Sequence, residues 1–215
     1  MVKAPKTVTA LSFDTEQALV GKECTCLVGV DEAGRGPWAG PVVAAAVVFN
    51  STSVPTGLND SKRLTPAKRD QLYDSILETA KVGIGIASVD EIDKLNILQA
   101  TFLAMTQAVG ALGVFPHTVL VDGNRCPKLP HRAIAVVGGD GKCPSIAAAS
   151  IIAKVTRDRI MVELGASFPG YGWAANKGYG TREHADAIAE LGITLHHRRS
   201  FAPIRAILAE TGSRP

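Results

Sequence analysis

Apolar and polar positions along the chain fall into short runs that mark strands and longer stretches of helical spacing. Cys26-Leu27-Val28-Gly29-Val30 is a short apolar run that ends at Asp31 and reads as a buried strand. The Gly- and Pro-rich stretch from Gly34 to Pro41 breaks it, and Val42–Phe49, bounded by Pro41 and Asn50, predicts a second strand. Thr65-Pro66 offers an N-cap and a proline at the first helical position, opening a helix to about Ala80. Val82–Ser88 alternates Val, Ile and Ile with Gly and Ala, a third strand. Val89 to Leu112 has helical spacing with a break near Leu95-Asn96. Val119-Leu120-Val121 leads into Asp122 as a fourth strand, and Ala133–Val137 is a fifth. Ser145 to about Leu164 carries helical spacing with no internal Gly or Pro, and Arg182–Leu191 and Phe201–Glu210 predict two more helices.

The order of elements predicts an α/β fold, a mixed five-stranded sheet flanked by helices. Residues 1–22 lack periodicity and read as a flexible N-terminal arm with a short helical turn at Asp14–Leu19. Residues 23–167 hold the sheet, and residues 168–215 form a helical C-terminal lobe resting on it.

Composition narrows this picture. The chain has 215 residues, 46% hydrophobic and 20% charged, with a formal net charge of +3, values that exclude disorder as its main description. Its longest apolar run is Val42–Phe49, far short of the roughly 20 residues of a membrane span, and no signal-peptide pattern is present. The expected compartment is the cytoplasm, where the four cysteines remain reduced. The total charge hides an asymmetry. Residues 1–110 carry 10 Lys and Arg against 12 Asp and Glu, and residues 111–215 carry 13 against 8. A basic second half points to an anionic partner such as nucleic acid.

Four carboxylates are placed unlike ordinary surface ones. Asp31 and Glu32 follow a buried strand, Asp122 ends another, and Asp140 lies after the fifth, just before a helix. Carboxylates at strand ends of an α/β sheet project into the crevice where such sheets bind ligands. Converging there without His or Cys, they select hard cations, Mg²⁺ or Mn²⁺, over zinc. Two such ions can activate a water and stabilise the oxygen leaving a phosphodiester. Gly34-Arg35-Gly36 follows at once, two glycines that let a backbone approach a ligand closely.

These residues resemble the bacterial ribonuclease HII family. The resemblance runs through Asp31-Glu32-Ala33-Gly34-Arg35-Gly36-Pro37, Gly40-Pro41-Val42-Val43-Ala44-Ala45 and Asn59-Asp60-Ser61-Lys62-Arg63-Leu64. It continues through Val121-Asp122-Gly123, the helix Ile146–Asp158, Asn176-Lys177-Gly178-Tyr179-Gly180-Thr181, His184 and His197-Arg198-Arg199-Ser200-Phe201, covering about residues 26–202. It implies a ribonuclease H-like fold whose C-terminal lobe completes the substrate groove. It also implies an endonuclease that cuts the RNA strand of RNA–DNA hybrids and cleaves 5′ of single ribonucleotides embedded in duplex DNA, leaving a 3′-hydroxyl and a 5′-phosphate. The same resemblance assigns Asp31, Glu32, Asp122 and Asp140 to two divalent ions. It assigns Gly34, Arg35 and Gly36 to the ribose 2′-hydroxyl, and Tyr179 to stacking on the sugar beside the junction. One position departs from the pattern: where the family carries a lysine ahead of Gly-Asp, this chain has Gly138-Gly139-Asp140.

The basic residues extend the expected site. Ser61, Lys62 and Arg63 lie in a turn before a helix N-terminus, a natural phosphate-binding place. Ser150, Lys154 and Arg157 recur on one helix face as a polar stripe, and Lys177, Arg198 and Arg199 are candidates for the same track. Lys62 and Lys154 are read as phosphate contacts. His184 and His197 are open between an assisting catalytic role and satisfied structural positions. The expected partner is an RNA–DNA hybrid or a ribonucleotide-containing duplex bound by a monomer. Two other readings remain at this point: a two-metal DNA nuclease or integrase, and a catalytically silent nucleic-acid-binding module.

Overall fold

The computed structural model describes residues 11–21, 23–50 and 54–212, with side chains up to residue 209. Five strands, β1 (Leu27–Ala33), β2 (Val42–Phe49), β3 (Ala80–Ala87), β4 (Thr118–Asp122) and β5 (Arg132–Val136), form one sheet in the order β3-β2-β1-β4-β5. β1–β2 and β2–β3 pair antiparallel, whereas β1–β4 and β4–β5 pair parallel. The unbroken apolar run of β2 has a plain cause. Val42, Ala44 and Ala46 face α4 (Ile97–Ala111) and its Ala100, Ala104 and Met105. Ala45 and Val47 face the other way, onto α2 (Pro66–Thr79) and α5 (Pro144–Ser167). A strand covered on both faces has no polar side to show.

Local chemistry sets the helix ends. Thr65 accepts from the Lys68 N–H and Pro66 begins α2. Ser88 and Glu91 form a reciprocal capping box at the start of α3 (Val89–Leu95). The expected break falls at Asn96, which takes φ 71° and caps α4 through the N–H groups of Leu98 and Gln99. β1 runs past its expected end at Asp31, because Asp31, Glu32 and Ala33 still pair with Ala45, Ala44 and Val43.

The first ten residues of the expected arm lie outside the described residues. Beyond them, Asp14–Val20 is a helix, α1, and Glu16 is fully buried, so this part is docked on the body of the fold rather than loose. Glu16 Oε1 accepts from both the backbone N–H and the hydroxyl of Ser145, at 2.8 and 2.7 Å. It thereby caps α5, whose own N-cap residue Cys143 makes no side-chain bond.

After α5 come a short helix α6 (Trp173–Asn176), which the periodicity does not predict, then α7 (Arg182–Leu191) and α8 (Ala202–Gly212). Met161, Tyr171, Trp173, Ile188 and Ile204 pack into a cluster with Trp38 and Ala39 of the β1–β2 loop. This brings the C-terminal segment beside the Gly34–Gly36 turn. Among the described residues no helix is long and apolar enough to cross a membrane.

Candidate active site

Parallel pairing places Val30 of β1 opposite Val121 of β4. The next residue on each strand is a carboxylate, so Asp31 and Asp122 stand side by side where the parallel pairing of the two strands ends. Glu32 follows Asp31, its N–H donating to Asp31 Oδ1 at 2.7 Å. Asp122 Oδ1 accepts from the Gly139 N–H at 2.7 Å. That bond ties the turn carrying Asp140, a 3₁₀ turn over Gly139–Gly141, to the end of β4. The Lys142 ammonium braces the same turn by donating to the Val137 carbonyl at 2.6 Å. All four predicted carboxylates are thus drawn to one end of the β1–β4 pair.

Their charges meet at short range. Burial, then the charges of Glu32 and Asp122, holds the Asp31 carboxyl well above the usual carboxylate range. Burial also raises Glu32, against the opposing pull of Arg35, and burial with the charges of Asp122 and Asp60 raises Asp140. Burial works against the Lys62 ammonium, but the summed charges of Asp31, Asp60, Asp140 and Asp122 outweigh it and raise its pKa. Four carboxylates faced by Lys62 and Arg35 are short of positive charge, and an all-oxygen donor set suits a hard divalent cation. Among the described residues the four do not close into a ready-made cage. Mg²⁺ usually keeps several waters and takes one or two carboxylates together with phosphate oxygens, a demand that an open set meets.

All eight predicted substrate-binding residues line one cleft of about 240 Å³, which Glu32 also borders. They do not play equivalent parts. Ser61 and Ser150 are buried, with hydroxyls 2.8 Å apart. Ser150 donates to Asp31, so Ser61 donates to Ser150 and a two-hydroxyl chain orients the carboxylate. Arg69 fixes the turn beneath by donating to the Ser61 and Leu64 carbonyls at 2.9 and 2.7 Å. Lys62 is exposed at the rim, and Lys154 is paired with Asp158 at 2.7 Å.

Arg157, expected on the polar stripe, and Arg198, a candidate for the phosphate track, are both buried anchors beneath the cleft. Arg157 and Arg198 are 1% and 0% exposed. Arg157 donates to the carbonyls of Pro41, Lys177 and Ala39 at 3.0, 3.0 and 3.1 Å. Arg198 donates to those of Gly40, Arg35, Gly34 and Pro41 at 2.9, 3.0, 2.6 and 3.1 Å. Burial pushes Arg157 down to about 10; burial and then the charge of Arg157 push Arg198 down to about 9. Both remain cationic at neutral pH, each held by carbonyl dipoles. In a trans peptide the N–H points away from the C=O. With the Gly34 and Arg35 oxygens turned inward to Arg198, the N–H groups of Arg35 and Gly36 are aimed outward at the cleft. Gly34 takes φ 98°, and a Cβ there would stand 2.0 Å from Arg157 Nε. Only glycine fits against these buried arginines.

Tyr179 is 48% exposed on the opposite wall, its ring edge over Gly36. His184 and His197 are fully buried and bonded to each other, so neither reaches the cleft. Sequence reasoning missed the two arginine anchors and Asp60, which accepts from the Lys62 N–H at 2.9 Å. No local signal marked the arginines: Arg157 stands between Thr156 and Asp158 and Arg198 between His197 and Arg199, polar surroundings that read as surface.

A five-stranded mixed sheet with carboxylates gathered where its parallel strands end defines a protein of the ribonuclease H-like class. The family model described as Ribonuclease HII matches residues 28–204. The chain is 55% identical over 199 residues to a ribonuclease HII of Cereibacter sphaeroides, covering 92% of this chain and 94% of that one. It is 60% identical over 178 residues to one of Rhizorhabdus wittichii, covering 83% and 88%. The crystal structure of the ribonuclease H2 from Pyrococcus horikoshii OT3 superposes with a TM-score of 0.73 at 27% identity, covering 88% of this chain and 100% of that one. The chain belongs to the ribonuclease HII family.

Proposed function

We propose that this protein is an endonuclease that hydrolyses the RNA strand of RNA–DNA hybrids and cuts 5′ of single ribonucleotides in duplex DNA, leaving a 3′-hydroxyl and a 5′-phosphate. The observation that carries this reading is the cleft in which the outward N–H groups of Arg35 and Gly36 lie beside Glu32 and opposite Tyr179. Asp31, Glu32, Asp122 and Asp140 would hold Mg²⁺ or Mn²⁺. Two such ions supply a lowered pKa for the attacking water and charge stabilisation for the leaving 3′-oxygen.

The chain's own residues do the rest. The rigid Gly34–Gly36 turn donates N–H groups to the 2′-hydroxyl, the group that tells RNA from DNA. A site built for that hydroxyl leaves polar groups unpaired when it is missing, which discriminates by about 10⁴-fold. Tyr179 stacks on the neighbouring sugar, with Lys62 and Lys154 on flanking phosphates. Ser150 and Ser61 orient Asp31 beneath them. The helices after residue 168 complete the groove by carrying Tyr179 to it. The proposed form is a monomer in the cytoplasm, where a reducing setting suits four unpaired thiols.

Duplexes with zero, one or four ribonucleotides, digested in Mg²⁺ and then in Mn²⁺, test the reading. Cleavage confined to the ribonucleotide-containing duplexes, at the 5′ side, is expected. Equal cleavage of the all-DNA duplex would mark a general DNA nuclease, and metal-independent binding without product would mark a silent binding module.

A further inference from the structure

His184 and His197 lie at the centre of a buried polar network whose direction the partners dictate. The Tyr179 carbonyl accepts from His184 Nδ1 at 2.9 Å, so Nδ1 carries the proton. His184 Nε2 is then bare, and accepts from Trp173 Nε1 at 3.0 Å and from His197 Nε2 at 3.1 Å. His197 Nδ1 in turn accepts from the Thr194 N–H at 2.9 Å. Every proton has one place, and both rings are neutral. Burial lowers both pKa values, that of His197 to about 4, so this arrangement holds at neutral pH.

The chain of bonds ends on the backbone of the tyrosine that faces Gly36. A core that needed only volume here would not require a bond network of this kind. The segment around Tyr179 is otherwise fixed by close packing. Asn176 captures the Gly178 N–H at 2.8 Å, Trp38 donates its N–H to the Gly178 carbonyl at 2.8 Å, and a Cβ on Gly180 would stand 2.1 Å from the Trp38 ring. The glycines flanking Tyr179 therefore serve contact with the Trp38 loop rather than freedom of the segment. His197 is followed directly by Arg198, which holds the carbonyls of Gly34 and Arg35. Its N–H donates to the Trp38 carbonyl at 2.8 Å, and Ala39 and His197 form an isolated β-bridge. Two consecutive residues thus reach the two walls of one slot, the Gly34–Gly36 turn through Arg198 and Tyr179 through His197 and His184.

We propose that His184 and His197 are positioning residues for sugar recognition, and that the His197-Arg198 pair is the strut that sets the spacing between Tyr179 and the Gly34–Gly36 backbone. This rests on the reading of Tyr179 as the sugar-stacking residue. The distinction from a structural role lies in one bond, the Nδ1–H donor to Tyr179. His184→Leu removes that donor, whereas His184→Asn retains an N–H near the Nδ1 position.

The test measures kcat and KM on a duplex carrying one ribonucleotide for the parent, His184→Leu, His184→Asn, Tyr179→Ala and the double variant of Leu with Tyr179→Ala. Amide hydrogen exchange over residues 178–181 is followed alongside. Aromatic stacking at a nucleic-acid site is worth about five- to a hundredfold in binding. His184→Leu is expected to raise KM about fivefold with kcat nearly unchanged and to speed exchange at 178–181. His184→Asn is expected to restore most of both, and Leu is expected to add nothing once Tyr179 is Ala. Were His184→Leu to lower thermal stability while leaving KM and exchange alone, the positioning role would be overturned, with Tyr179→Ala still reporting on stacking. An equal KM rise from Leu in the Tyr179→Ala background would overturn it too. If Tyr179→Ala itself left KM unchanged, the stacking reading would fail and this inference with it. Should the Leu variant not fold, a His184→Asn variant with the KM of Tyr179→Ala overturns the proposal, and one with the parent KM and exchange supports it.

Discussion

Asp31 is held where its charge is least welcome, buried and facing Glu32 and Asp122, with one hydrogen bond each from Ser150 and the Glu32 N–H. Neutralising it removes a proposed metal ligand and relieves a repulsion at once. Asp31→Asn is therefore expected to lower cleavage of the one-ribonucleotide duplex by at least about a hundredfold, several kcal/mol of lost charge stabilisation. Without divalent metal its melting temperature should equal or exceed the parent's, by roughly 2–4 °C for each kcal/mol of repulsion relieved. A variant that lost activity by unfolding would melt lower, so the two readouts together isolate the charge. The four carboxylates were legible in the sequence because each follows a buried strand or precedes a helix, a position visible in local pattern. Arg157 and Arg198 were not. Their acceptors are carbonyls as far as 118 and 164 residues away in sequence, and a basic residue near other basic residues looks like surface until burial is known.

At the scale of elements, α5 depends on a residue outside itself. Its N-cap position offers no side-chain acceptor, and Glu16 of α1 reaches across to Ser145. Burial raises the Glu16 carboxyl above its usual range against two hydrogen bonds from Ser145, and Oε2 is buried with no hydrogen-bond partner. A folded pKa above the unfolded one means that the charged form opposes folding, so stability should rise as pH falls through that window. Glu16→Gln keeps an acceptor oxygen and drops the charge; it should match or exceed the parent in urea unfolding at pH 7. Glu16→Ala leaves the Ser145 N–H without an acceptor and should cost about 1–2 kcal/mol. Equal stability of the Ala and Gln variants would show that the cap contributes nothing. Local pattern predicted β2, the Asn96 break and the span of α7, since run length, cap chemistry and periodicity are local. It missed the docking of α1 and the four-residue α6, because both are held by contacts with distant segments rather than by their own patterning.

Over the whole molecule, acidification and salt separate the parts that hold the fold from those that face nucleic acid. His197 is neutral in the folded protein down to about pH 4, through burial first and then the charge of His184, whereas in the unfolded chain it takes a proton near its ordinary value of 6.5. Between those limits the unfolded state binds more protons, so this residue's contribution weakens as pH falls from about 6.5 to about 4. The raised carboxylates act in the opposite sense, so the curve of His197→Asn subtracted from the parent isolates the effect. The difference should shrink by an amount on the order of a few kcal/mol across that window. Salt probes the other surface. The net charge of +3 counts Arg157 and Arg198, yet both are buried on carbonyls and neutralise no phosphate. Of the cations lining the cleft, Arg35 lies 3.4 Å from Glu32 and Lys154 lies 2.7 Å from Asp158, leaving Lys62 the most available. Each neutralised phosphate contributes about −0.9 to the slope of log K against log salt, so three cleft contacts give a slope near −3. Lys62→Ala should weaken binding of hybrid and all-DNA duplex alike and flatten the slope by about one. An unchanged slope would remove Lys62 from the phosphate path and shift that role to cations outside the cleft.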